Sequence, residues 1–90
     1  MNLRREAQGK ACLVRLPGLC NHDSQTTVLA HYRLPGYSGL GVKSPDLLGA
    51  WSCSACHAYI DTHHDDLTRL AHAEACLRTI AELSKRGKVK

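Results

Sequence analysis

Apolar positions come in short bursts separated by turn-forming residues, until the last third of the chain, where they recur every three or four residues. Residues 2–10 are polar and predict a short helix or an arm. Cys12-Leu13-Val14-Arg15-Leu16 predicts a brief extended segment, stopped by the turn pair Pro17-Gly18 ahead of Leu19-Cys20-Asn21. After a polar loop over 21–25, Thr27, Val28, Leu29 and Tyr32 favour a strand over 26–33, and alternation places Thr27, Leu29, His31 and Arg33 on one face. Three Gly and one Pro within 34–41 then predict a long loop.

Apolar character returns over 46–51 and runs directly into Cys53-Ser54-Ala55-Cys56-His57. A second short strand followed by a helix fits this pattern, with Ser52 or Ser54 as the N-cap. His63-His64-Asp65-Asp66 reads as the polar turn that opens a long amphipathic helix over about 65–86, with His63 or His64 as minor candidates for a metal. Leu67, Leu70, Ala73, Leu77, Ile80 and Ala81 recur at helical spacing and predict its apolar face, and Gly87 closes it. With no internal repeat, residues 1–90 are expected to form one α+β domain.

A domain of 90 residues buries too little surface to rest comfortably on its core, and this one has no Phe and a single Trp. Five Cys and six His offer a metal as the staple. A disulfide framework is the competing account, but Met1-Asn2-Leu3-Arg4-Arg5-Glu6 lacks the apolar core of a secretory leader, so a cytoplasmic, reducing setting is expected. No apolar run approaches the roughly 20 residues of a membrane span. The net charge of +4 gathers at the two ends, in Arg4, Arg5 and Lys10 and in Lys85, Arg86, Lys88 and Lys90. Such ends suit a polyanion, and on charge alone they equally suit plain solubility.

Cys53-x-x-Cys56 together with Cys12 and Cys20 supplies two pairs of soft ligands from two turns, the usual makeup of a closed structural zinc site. The fifth cysteine, Cys76, falls within the long helix and reads as a small buried residue. His57 follows a ligand directly. In a helix His57 and Asp61 project from one face and offer a nitrogen and an oxygen to a divalent metal, although a plain surface hydrogen bond explains the spacing as well. His31, at the end of the first predicted strand, is a candidate general base, with packing at a sheet edge as its ordinary alternative. His22 and His72 read as surface residues.

Taken in order, the two cysteines, the strand ending in His31, the Gly-containing loop, the apolar strand and Cys53-x-x-Cys56-His57 resemble the HNH endonuclease pattern, a ββα-metal fold with an auxiliary zinc. The segments over 12–21, 29–34, 45–48 and 53–61 look more closely like the small prophage-encoded nucleases of the YbcO type, a likeness that covers roughly residues 3–61. The resemblance implies that His31 is the general base, that His57 is a metal ligand, and that Asp46 takes the place of the central Asn that orients the base or holds the loop. It also implies a catalytic Mg²⁺ (or Mn²⁺) ion and DNA as substrate. Ala30 precedes His31 where many HNH enzymes carry a further ligand, so Asp61 is the expected substitute.

The leading expectation is therefore a metal-dependent DNA endonuclease in which Arg33 or Lys43 holds a flanking phosphate. The main rival is a zinc-stabilised nucleic-acid-binding module that does not cut, and a third reading is a zinc scaffold that bridges protein partners. The oligomeric state is open.

Overall fold

A computed structural model describes residues 2–37 and 44–89. Among these, the elements are helix α1 (Leu3–Ala7), strand β1 (Val28–His31), strand β2 (Gly49–Ser52), helix α2 (Ser54–Thr62) and helix α3 (Asp66–Lys85), with single 3-10 turns at Ser24–Thr26 and Asp46–Leu48. The α+β arrangement expected from the pattern is present. The first strand is shorter than 26–33, because the Asp23 carboxylate accepts the Gln25 amide and turns 24–26 into a 3-10 cap instead. Lys43 and the centre of the Gly-rich segment, 38–41, lie outside the described residues.

β1 and β2 pair antiparallel, with Leu29 opposite Trp51, Ala30 opposite Ala50 and His31 opposite Gly49. Alternation divides their side chains between two clusters. Ala30 and Ala50 face Cys12, Val14, Leu16, Cys53, Cys56 and Ile60, whereas Leu29 and Trp51 face Ala7, Leu13 and Leu83. The two-stranded sheet is thus covered on both faces, which a lone hairpin needs for stability in water.

Its outer edge is closed as well. The Leu13 amide donates to the Trp51 carbonyl at 2.8 Å, and the Trp51 amide donates to Thr79 Oγ1 at 3.0 Å. Thr79 in turn donates its hydroxyl to the Ala75 carbonyl within α3. α3 lies against β2 through this hydroxyl and through the small side chains of Ala75 and Cys76, with Thr68 and Leu83 buried towards its two ends.

That contact corrects the expected orientation of the helix. Its predicted apolar face is turned to solvent: Leu67 is 79% exposed, Leu70 55% and Leu77 67%, Ala81 is also exposed, and Ala73 and Ile80 are only partly covered. Close approach of a helix to a strand edge requires small residues and an acceptor for the strand's free amide, and the Thr68–Ala75–Thr79 side supplies both. The ends of α3 are as expected. Asp65 caps the first turn through Thr68, and Gly87 takes the left-handed conformation just past the helix, with φ of 71°.

Candidate functional site

Two knuckles bring four sulfurs together. Arg15 adopts φ of 50°, which folds the segment after Cys12 back so that the Arg15 amide donates to Cys12 Sγ at 3.4 Å. On the other side, Cys53 itself caps α2, its Sγ accepting the Cys56 amide at 3.4 Å, where the sequence had suggested Ser52 or Ser54. A cap formed by a cysteine does two tasks at once: it starts the helix and aims the sulfur inward. The knuckles are tied across by the Asn21 side chain donating to Ser54 Oγ at 3.0 Å and by the Ser54 amide donating to Thr26 Oγ1 at 3.1 Å.

The ligand atoms of Cys12, Cys20, Cys53 and Cys56 all lie within 4.8 Å of one another, and Cys20 and Cys53 are 3.9 Å apart at sulfur. A tetrahedron with Zn–S bonds of about 2.3 Å sets its sulfurs about 3.8 Å apart, so the cluster can hold a metal ion such as zinc. Burial opposes ionisation at Cys53, but amides of Cys56 and Asn21 aimed at its sulfur outweigh it and bring the thiol down to about 7. Burial pushes Cys20 and Cys56 up in the absence of a cation. Cys76 stands apart with its thiol on the Leu48 carbonyl and is raised by burial to about 11, as befits the small buried residue expected there.

Beside this cluster a cleft of about 240 Å³ opens where the end of β1, the end of α2 and the start of α3 meet. Its lining includes His31, Arg33, Asp61, His63, Arg69 and His72. Two arginines, Arg33 and Arg69, against the single carboxylate of Asp61 make it a net cationic recess, suited to an anionic group.

His31 closes β1, and its Nε2 lies 2.7 Å from Asp46 Oδ1. The pairing of His31 with Gly49 creates this contact, because Asp46 starts the 3-10 turn that enters β2 at Gly49. A Cβ on Gly49 would fall 2.6 Å from the Leu29 side chain and 3.2 Å from the Asp46 carbonyl oxygen, so only glycine lets the turn sit this close. Asp46 also meets Arg4 Nε of α1 at 3.4 Å. The His31 hydrogen bond, with Arg4 adding to it, holds the Asp46 carboxyl below the usual carboxylate range.

On α2, His57 Nε2 and Asp61 Oδ2 are 3.5 Å apart, the one-face pair anticipated from their spacing. Asp61 lines the cleft with His31. His57 reaches it through Asp61, and Asp46 through His31, so the four sequence candidates form two close pairs on one recess, of which His31–Asp46 is hydrogen-bonded.

Two residues on α3 were not anticipated. His72 is not a surface residue: it is half-buried, donates Nε2 to the Ala30 carbonyl at 2.9 Å and packs on Tyr32 with ring centroids 5.1 Å apart. Burial lowers its pKa, so it serves as a neutral wall of the cleft. Arg69 is the other. Its signal in the sequence was position, three residues before His72 and one after Thr68, on the side of α3 that carries the small buried residues. His63, seen only as a minor candidate, ends α2 stacked on Tyr59 with ring centroids 3.7 Å apart, and His22 lies 3.7 Å from Cys20 Sγ at the protein surface.

The family model described as "Putative nuclease YbcO" matches residues 1–88, well beyond the 3–61 over which the motifs alone carried the likeness. Over 67 residues, 72% of this chain, the sequence is 52% identical to "Putative nuclease YbcO" of Escherichia coli (strain K12) and, equally, to "Putative nuclease ybcO" of Enterobacteria phage 82, covering 70% of each. A solved structure described as "Structure of a putative bacteriophage protein from Escherichia coli str. K-12 substr. MG1655" superposes with a TM-score of 0.77 at 39% identity, covering 96% of this chain and 100% of that one. The chain belongs to the family described as "Putative nuclease YbcO".

Proposed function

We propose that the protein is a metal-dependent endonuclease of the HNH type, phage-derived, that hydrolyses phosphodiester bonds in DNA. The observation that carries this reading is the His31–Asp46 pair on a cationic cleft, with His57 and Asp61 paired on the adjoining helix. The order of two strands and a helix, with a cysteine knuckle at the junction of β2 and α2, supports the ββα-metal frame. The family description supplies the activity class.

A carboxylate only accepts, so the Asp46 contact puts the His31 proton on Nε2 and leaves Nδ1 as the free acceptor. His31 Nδ1 then takes the proton of the water that attacks phosphorus, and Asp46 stabilises the resulting imidazolium. Arg33 and Arg69 hold non-bridging oxygens of the strand in the cleft.

His57 and Asp61 would hold a Mg²⁺ or Mn²⁺ ion. Their ring nitrogen and carboxylate oxygen, 3.5 Å apart on one face of α2, are donors that suit a divalent cation. Such an ion, when bound, polarises the phosphate and stabilises the departing 3′ oxygen. Zinc on the four cysteines has the separate task of fixing the backbone on which His57 sits, whose amide donates to the Cys53 carbonyl at 2.9 Å.

The test is nicking of supercoiled plasmid by zinc-loaded protein with added Mg²⁺ or Mn²⁺, comparing wild type with His31→Ala and His57→Ala. Metal-dependent nicking that both substitutions abolish at unchanged zinc content supports the nuclease. Salt-sensitive DNA binding without cleavage, surviving both substitutions, identifies a binding module instead.

A further inference from the structure

We propose that His63 is a stacking platform for a nucleobase, so that the DNA this protein acts on carries an unpaired base beside the cut phosphate; the inference rests on the reading of the cleft as the place where a DNA strand lies. His63 is exposed just past the end of α2 and lines the cleft, and it belongs to neither of the pairs His31–Asp46 and His57–Asp61.

Its ring is held as a fixed plane. Tyr59, partly buried against the core cluster that contains the cysteines, stacks on it with ring centroids 3.7 Å apart and planes 6° from parallel. The Tyr59 carbonyl only accepts, so His63 Nδ1 carries a proton and donates it across 3.0 Å, with Thr62 Oγ1 also 3.0 Å away. An aromatic pair four residues apart is an ordinary way to finish a helix and by itself points to no ligand. Here, however, Tyr59 is not among the residues that line the cleft, so the stack meets the cleft with its His63 side. A ring already immobilised on one face gives up little freedom when a second ring settles on the other.

The rest of the recess matches what accompanies a base. A nucleotide within a strand presents a flat π face with a phosphate on either side, and Arg33 and Arg69 line the same recess as His63. A bare inorganic anion would engage the two guanidinium groups and leave the ring idle. Within a duplex both faces of each base are covered by its neighbours, so a base reaches His63 only when it is unpaired and out of the stack. The volume of about 240 Å³ is of the scale of a single nucleotide rather than of a double helix.

Anisotropy titrations of the zinc-loaded full chain against fluorescein-labelled DNA of about 16 nucleotides, without added Mg²⁺ or Mn²⁺ and at about 0.15 M salt, test this apart from any cleavage. The single strand is expected to bind at least about fivefold more tightly than the duplex of the same length. His63→Ala is expected to weaken single-strand binding by about fivefold to hundredfold, with the duplex little changed and circular dichroism and zinc content unaltered. His63→Phe, which keeps a ring on Tyr59, is expected to stay within about threefold of wild type. A single strand built of abasic residues should bind wild type and His63→Ala alike, because there is no base for the ring to hold. Equal affinity of wild type for single strand and duplex overturns the proposal, as does a His63→Ala loss of the same size on strands with and without bases; nicking that depends on His31 and His57 would stand in either case. Binding that depends on both His63 and the bases, with no nicking under any metal, upholds the platform and removes the nuclease.

Discussion

His31 Nε2 and Asp46 Oδ1 stand 2.7 Å apart across the connection between the two strands, with the Asp46 carboxyl held below its usual range chiefly by that hydrogen bond. A charged acceptor at this point does what an amide cannot, because it only accepts and so dictates which ring nitrogen of His31 keeps its proton. Asp46→Asn retains the size of the side chain but can present its NH₂ to the ring. We expect the nicking rate at saturating DNA to fall by about 10²–10⁴-fold with little change in apparent KM. Single-turnover kinetics at matched zinc content checks this, and a rate within a factor of about three of wild type would remove Asp46 from the mechanism.

The contact of Trp51 with Thr79 makes a prediction about stability alone. Thr79→Val keeps the shape of the side chain and deletes the only acceptor found for the buried Trp51 amide among the described residues. A buried amide left unpaired costs about 1–3 kcal/mol. The urea midpoint of the zinc-loaded protein should fall accordingly, with an unchanged slope and unchanged zinc stoichiometry.

Thr79 also marks where the sequence stops being legible. The strands, the two knuckles, the α2 pair and the ends of α3 all follow from local rules: alternation, turn chemistry, ligand spacing and capping. The side of α3 that packs inward does not, because hydrophobicity points to the leucines while the strand edge demands a hydroxyl and small neighbours. His72 and Arg69 were missed for the same reason, since their place in the cleft depends on which side of α3 faces β2. The nearness of Asp46 to His31 was also beyond local rules: the likeness to a nuclease family named the position, and the contact itself depends on strand register and on the missing Cβ of Gly49.

The four clustered cysteines and the isolated fifth should respond differently to metal. Replacing the bound ion with Co²⁺ is expected to give the intense absorption of tetrahedral thiolate coordination, at one equivalent per chain. Cys53→Ser should weaken binding strongly and, because its sulfur also caps α2, lower the helical signal at the same time. Cys76→Ser should leave the cobalt spectrum unchanged. A spectrum altered by Cys76→Ser and indifferent to Cys53→Ser would overturn the assignment.

His72 sets a pH dependence. Burial lowers its pKa in the folded chain below the ordinary value of about 6.5, so the unfolded chain binds a proton that the folded chain resists. Stability from this group is fully present above about pH 6.5 and is lost progressively as pH falls below that value towards the folded pKa. His72→Gln can still donate to the Ala30 carbonyl but has nothing to titrate. Zinc release and the carboxylates destabilise both proteins in acid, so the informative quantity is the difference between them. The loss of urea midpoint from about pH 7.5 to about pH 5.5 should be larger in wild type than in His72→Gln. Equal losses would mean that His72 gains its proton as readily inside the fold as outside it, and that the Tyr32–His72 contact does not shield the ring.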